Sequence, residues 1–221
     1  SIYKAGDVIP KVEKAIKEQR TGQERVFKMI TNCPICNAPL TKKEAHYYCL
    51  NPNCEARSIE GLIHYASRGA MNIEGFGEKI VEDFYNLGYL KKINDYFKLK
   101  DYKNELMELE GFGEKSINNL LEAIEDSKKR SLEKLIFALG IRHVGSKVAK
   151  ILAKKYQTLD NLMMTSYEEL KNIKDVGEII ARSVVDYFNN EKNKELINSL
   201  KVVGQNMKYF DHTSSSKLEG K

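Results

Sequence analysis

The sequence predicts a mainly α fold in which a small four-cysteine module precedes a helical domain of four helix-hairpin-helix motifs. Three observations carry this. All four cysteines fall between positions 33 and 54, a glycine-cornered frame recurs four times between 73 and 181, and from about residue 58 apolar residues follow a three- and four-residue spacing.

Composition sets the bounds. The 221 residues allow one or two domains, and 42% hydrophobic content suffices for small cores rather than one thick one, so the chain is expected to fold as modules. With 30% charged residues and a net charge of +5, the surface is wet and slightly basic, which permits a polyanion partner without requiring one. No run approaches the ~18 apolar residues of a membrane span. The start SIYKAGDVIP lacks the layout of a secretory signal, so a cytoplasmic location with no membrane is expected. The first residue, Ser1, and the polar end SSSKLEGK suggest a piece of something longer.

Residues 2 to 12, IYKAGDVIPKV, alternate apolar and polar around Gly6 and read as a strand with a turn, which must pair or pack to persist. Residues 13 to 30 are polar, with Val26, Phe27, Met29 and Ile30 as an apolar entry to the next module. There the pattern is Cys33-x2-Cys36-x12-Cys49-x4-Cys54. Two close pairs let four thiolates converge on a tetrahedral Zn²⁺ at about 2.3 Å, and four sulfurs leave no position for an activated water. The site is therefore structural. In a reducing compartment, clustered cysteines argue for a metal over disulfides. Pro34, Asn37, Asn51, Pro52 and Asn53 supply turn chemistry. His46 reads as a surface residue near Tyr47 and Tyr48, and His64 as a packed or exposed one, rather than as ligands.

The repeat is IEGFGEKIV, LEGFGEKSI, IRHVGSKVA and IKDVGEIIA; its third positions, Gly75, Gly111, His143 and Asp175, lie 36, 32 and 32 residues apart. The Gly-apolar-Gly turn needs positive φ and a bare backbone, both of which glycine provides. Phe76, Phe112, Val144 and Val176 should point inward. Gly77, Gly113, Gly145 and Gly177 should open helices whose first amides and positive dipole end face outward as a phosphate site. Lys79, Lys115 and Lys147 add a charge beside those amides, whereas the fourth copy has Ile179 there and Asp175 at the corner. The fourth unit is thus expected to bind phosphate weakest and to pack against the third. Between copies, LLEAIEDSKKRSLEKLIFALG and VAKILAKKYQTLDNLMMTSYEEL read as amphipathic runs, and Gly204 is placed to end the last helix.

Nucleic-acid contacts are therefore assigned to Gly75, Gly77, Lys79, Gly111, Gly113, Lys115, Gly145, Lys147 and Gly177, with binding indifferent to base sequence. Two other readings stay open: a stand-alone module for branched or damaged DNA, and a zinc-ribbon and helical-repeat adaptor that binds protein. No nucleophile and base, nor any hydrolase-type cluster, stands out.

Over essentially its whole length the chain resembles the C-terminal half of bacterial NAD-dependent DNA ligases. Lys4 to Val12 look like the last strand of that family's oligonucleotide-binding (OB) barrel, here truncated. Cys33, Cys36, Cys49 and Cys54 match its zinc ligands, and NPNCEARSIEGLIHYASRGAMNIEGFGEK matches its junction into the first hairpin. ALGIRHVG is similar to its third hairpin, and LEGK to the start of its BRCT domain. The implied boundaries are 1–30 for the end of the OB fold and a connector, 31–57 for the zinc finger, 58–206 for the helix-hairpin-helix domain and 207–221 for a linker.

The resemblance implies a monomeric parent that seals nicks in double-stranded DNA during replication and repair in the bacterial cytosol. It would do so by adenylating a lysine with NAD, passing AMP to the 5′-phosphate, and letting the 3′-hydroxyl attack. That lysine lies in a K-x-D-G motif absent here; Lys174-Asp175-Val176-Gly177 has the wrong order. The resemblance thus implies that this fragment alone is inactive, with NAD and Mg bound only by the missing adenylation domain. Its partners would be nicked duplex DNA and the adenylation, OB and BRCT domains of the same chain.

Overall fold

The computed structural model describes residues 1–6 and 9–211. The end of the expected linker, with its LEGK, and two residues of the expected barrel strand, Asp7 and Val8, lie outside the described residues. Contacts divide the chain into two units, Ser1–Asn51 and Pro52–Lys221.

In the first unit, two short strands replace the single one expected. β1 (Ile2–Ala5) and β2 (Ile9–Val12) pair antiparallel, with Ile2 opposite Val12 and Ala5 opposite Ile9. Gly6, at φ +64, takes the left-handed step that starts the reversal, so the segment folds back on itself. Further on, β3 (Leu40–Lys43) and β4 (His46–Cys49) form a second hairpin, with Leu40 opposite Cys49 and Glu44 at φ +55 in its turn. Cys33 is the only buried residue among those described in this unit. Apolar burial therefore cannot hold it.

The second unit is helical. Its elements are α1 (Glu55–Ala66), α2 (Glu78–Asn86), a 3₁₀ stretch (Ile93–Tyr102), α3 (Lys103–Met107), α4 (Glu114–Ser127) and α5 (Leu132–Ala138). After them come α6 (Ser146–Tyr156), α7 (Leu159–Met163), α8 (Tyr167–Lys171), α9 (Gly177–Asn189) and α10 (Glu191–Val202). The pairs α1/α2, α3/α4, α5/α6 and α8/α9 each pack together, one pair for each copy of the repeat.

Both long amphipathic runs are broken by local chemistry. The first splits into α4 and α5 around Lys128–Arg130. The second stops at Gln157, φ +64, and restarts twice behind hydroxyl caps: Thr158 Oγ1 accepts from the Asn161 amide and Ser166 Oγ from the Glu169 amide, both at 3.2 Å. Gly204, at φ +84, follows the end of α10 as expected.

The expectation of several small cores does not hold for this unit. One continuous apolar cluster runs from Leu62 on α1 to Leu200 on α10. The reason is that the residue before the second glycine of every copy turns inward and joins neighbouring helix pairs. Residues 206–209 also tie the unit together: the amides of Leu132 and Leu159 donate to the carbonyls of Lys208 and Met207 (both 3.0 Å), and that of Tyr209 to Gln157 (2.9 Å).

At the centre, Tyr65 and Tyr96 stack with ring centroids 5.8 Å apart. Burial pushes both phenols above their ordinary range. The Tyr96 hydroxyl donates to the Leu62 carbonyl at 3.0 Å, whereas that of Tyr65 has no hydrogen-bond partner among the described residues. Tyr65→Phe is accordingly expected to leave stability unchanged or raise it by about 1 kcal/mol, and Tyr96→Phe to lower it by about 1 kcal/mol, read from urea midpoints.

Candidate nucleic-acid interface and metal site

The four turns are one structure built four times. In each, the amide of the apolar residue donates back three positions: Phe76 to Ile73 (3.3 Å), Phe112 to Leu109 (3.0 Å), Val144 to Ile141 (3.0 Å) and Val176 to Ile173 (3.1 Å). The residue before it is left-handed every time: Gly75 at φ +88, Gly111 at +83, His143 at +66 and Asp175 at +70. Histidine and aspartate can occupy that region at modest cost, which is why the frame survives without glycine there. Phe76, Val144 and Val176 are buried, and Phe112 is half-buried with its ring 5.3 Å from that of Phe84.

The two glycines of a turn have different jobs. The second one is extended, not left-handed, in three copies: Gly77, Gly113 and Gly145 cap α2, α4 and α6 with φ of −72, −161 and −83. Only Gly177 has positive φ, +62, and it already belongs to α9. The requirement for positive φ therefore sits on the first corner, and the second corner's requirement is for bareness. A Cβ built on Gly77, Gly113 or Gly145 would meet nothing within 4 Å, whereas one on Gly75 would come within 2.5 Å of Leu120 Cδ2.

Helical bonding starts with Val81 donating to Gly77, Ile117 to Gly113 and Ala149 to Gly145, so the first-turn amides before them have no partner in their own helix. All four corners are exposed, as are Lys79, Lys115 and Lys147. In the second copy Ser116, a residue the repeat frame did not flag, accepts the Gly113 amide at 2.9 Å.

Spatially the copies come in two pairs. Gly75, Lys79, Gly111 and Phe112 line one cleft of about 790 Å³, together with Arg130 and the carboxylates of Glu74, Asp83, Glu110, Glu122 and Asp126. Those carboxylates would repel an anion from the cleft interior. The third and fourth copies meet through Lys147 Nζ and Asp175 Oδ2, 3.2 Å apart. The corner carboxylate expected to weaken the fourth site thus faces the lysine of the third. A second cleft, about 600 Å³, is lined by Arg142, His143, Ile179 and Arg182. Arg182, whose guanidinium lies 4.3 Å from the Tyr167 ring centroid, stands one helical turn after Ile179. A search for lysine at one fixed offset passes over it, although the i, i+3 spacing was available as a signal.

The cysteines converge. The ligand atoms of Cys33, Cys36, Cys49 and Cys54 all lie within 4.8 Å of one another, with Cys36 and Cys49 Sγ at 3.5 Å. Four sulfurs about 2.3 Å from a tetrahedral zinc stand roughly 3.8 Å apart, so the set fits a structural metal. The knuckle at the first pair closes by the Cys33 amide donating to Ala38 (2.8 Å) and the Asn37 amide to Cys33 (2.9 Å), with Asn37 at φ +57. His46 is exposed with its ring 6.2 Å from Tyr48, outside the cysteine group. His64 is a packing residue: its Nε2 donates to the Phe137 carbonyl at 2.7 Å.

Comparison with known proteins gives two findings. A family model for the helix-hairpin-helix motif matches residues 134–197, the third and fourth copies. The chain is 50% identical over 210 residues to a protein named DNA ligase from Listeria innocua serovar 6a, and 47% identical over 210 residues to one from Bacillus cereus strain B4264; each alignment takes in 94% of this chain and 31% of the relative. A DNA ligase from Oceanobacillus iheyensis is 45% identical over 227 residues, 100% of this chain and 34% of its own. The chain spans about a third of the length of these relatives.

Gly75→Ala is expected to cost about 1–2 kcal/mol, from its left-handed backbone and the clash with Leu120, whereas Gly77→Ala leaves the urea midpoint unchanged. The purified chain is expected to hold one zinc by elemental analysis. Cys33→Ser should abolish that and speed hydrogen exchange over 31–57 while the third and fourth hairpins keep their protection.

Proposed function

We propose that this chain, homologous over nearly all of its own length to one region of bacterial DNA ligases, is the part of such an enzyme that grips duplex DNA at the nick. The observation that carries the proposal is the fourfold turn. Each copy exposes a bare corner at the opening of a helix, and in three of them a lysine stands two residues on. Unpaired amides and the positive helix end attract a phosphate oxygen, and the lysine adds a mobile charge. Such contacts go to the sugar-phosphate rails, so the grip ignores base sequence, as an enzyme that seals any nick requires.

The bare second corner matters because a phosphate must come within hydrogen-bond reach of main-chain amides. The inward fourth-position residues, buried in three copies and half-buried in the second, hold each corner against the core, so little ordering is needed on binding. A zinc held by the four cysteines would supply structure to residues 31–57 and no chemistry, since every coordination position is a sulfur. The sealing reaction, NAD-dependent by the family resemblance, belongs to an adenylation domain bearing the lysine motif this sequence lacks, and NAD and Mg would bind there. By this reading the chain alone is inactive.

A salt titration of binding to nicked, intact, branched and single-stranded DNA tests the reading. Nicked duplex is expected to bind with a log-linear loss of affinity as salt rises. Preference for branched DNA would favour a stand-alone junction binder, and absence of salt-dependent binding a protein adaptor. Lys79→Ala and Lys115→Ala should each weaken binding equally for all sequences and lower the salt slope by about one. Lys147→Ala should do less, because Asp175 already offsets its charge; Asp175→Asn should tighten binding and raise the slope.

A further inference from the structure

We propose that the cleft between α1, α10 and residues 91–94 is a docking site for an acidic segment of a partner polypeptide that carries one apolar side chain. The cleft has a volume of about 520 Å³ and lies within the helical unit. Its cations are Arg57, Lys91, Lys92 and Lys192, against the single carboxylate of Glu195. Among the described residues no carboxylate stands within ion-pair distance of Lys91, Lys92 or Lys192, although many other lysines of this unit are so paired. Asp95, the acid nearest Lys91 and Lys92 in sequence, turns its carboxylate to their backbone amides (3.1 and 3.0 Å) and to Lys98, and Glu191, beside Lys192, pairs with Lys194. Cations that outnumber the carboxylate of one hollow repel one another, and an anionic partner relieves that repulsion.

The floor of the cleft selects the kind of anion. Leu62 is buried, while Ile93 and Leu196 are half-buried and still show apolar surface to the hollow. A phosphodiester backbone gains nothing from that surface, whereas a Phe or Leu flanked by carboxylates satisfies floor and rim together. The floor is also rigid, because the Tyr96 hydroxyl anchors the 3₁₀ stretch to the Leu62 carbonyl. Lys91 is held in place, its ammonium 3.7 Å from the Tyr85 ring centroid.

Position separates this surface from the hairpin corners. Lys91 and Lys92 follow the C-terminal end of α2, whose opposite end is the Gly77 corner, about 13 Å away along the helix. None of the corner residues lines the cleft, and the proposal does not depend on the DNA reading.

The test is fluorescence anisotropy of the zinc-loaded chain with a labelled peptide of glutamates around a central phenylalanine. Controls carry glutamine for glutamate, or glycine for the phenylalanine. Expected is saturable, salt-sensitive binding, lost with glutamine and weakened with glycine. The double variant Lys92→Glu with Lys192→Glu should weaken it by about tenfold or more while nicked-duplex affinity stays within about twofold. Circular dichroism checks the fold, and the single variant Lys192→Ala gives a smaller loss should the double variant misfold. The proposal is overturned if the acidic peptide does not bind, if its affinity is indifferent to the reversals, or if duplex affinity falls in parallel, which would make the cleft a nucleic-acid surface.

Discussion

The helical unit depends on one backbone hydrogen bond repeated four times, from the amide of Phe76, Phe112, Val144 or Val176 to the carbonyl three residues before it. In all four copies the residue just before that amide is left-handed, the geometry of a type II turn. Closing it does two things together: it drives an apolar side chain into the core and leaves the next helix to begin at the surface with its first amides unspent. Packing and the proposed recognition thus share one local geometry. An inward Phe76 at 6% exposure and an outward Gly77 are two sides of a single bend.

The two units solve the problem of cohesion differently. In the helical unit, the inward residues of the turns join with Tyr65, Phe84, Leu135 and Leu152 into one apolar cluster, so each helix pair borrows stability from its neighbours. In the first unit, Cys33 is the only buried residue among those described, and two short hairpins have nothing comparable to share. A metal held by the four cysteines would replace the missing core there, which would make the sulfur cluster a condition of folding rather than an ornament on it.

Much of this was legible in the residues. The cysteine spacing specified convergent sulfurs, and the recurring frame specified turns, inward apolar residues and helix starts. Sequence pattern reached those because each is a local constraint with a short period. It failed where the outcome depends on non-local closure. The packing of the fourth copy against the third was legible, but the continuity of the core could not be read from composition, nor could the pairing of first copy with second, because both rest on contacts between distant segments. The N-terminal segment folds back as a pair of strands, since Gly6 permits a reversal that alternation alone does not reveal. The two glycines of each turn looked equivalent in the frame, and only the dihedral angles separate the strained corner from the bare one.

The left-handed corner has a further consequence for how duplicated units drift apart. Outside the first copy, where a Cβ on Gly75 would meet Leu120, it constrains main-chain torsion alone and leaves its side chain open to any residue that tolerates the bend. Two copies leave it blank, one carries an imidazole, and one carries a carboxylate that reaches across to a neighbouring copy's lysine. Specialisation of the other three repeats can therefore proceed at that single position, one side chain at a time, without renegotiating the scaffold.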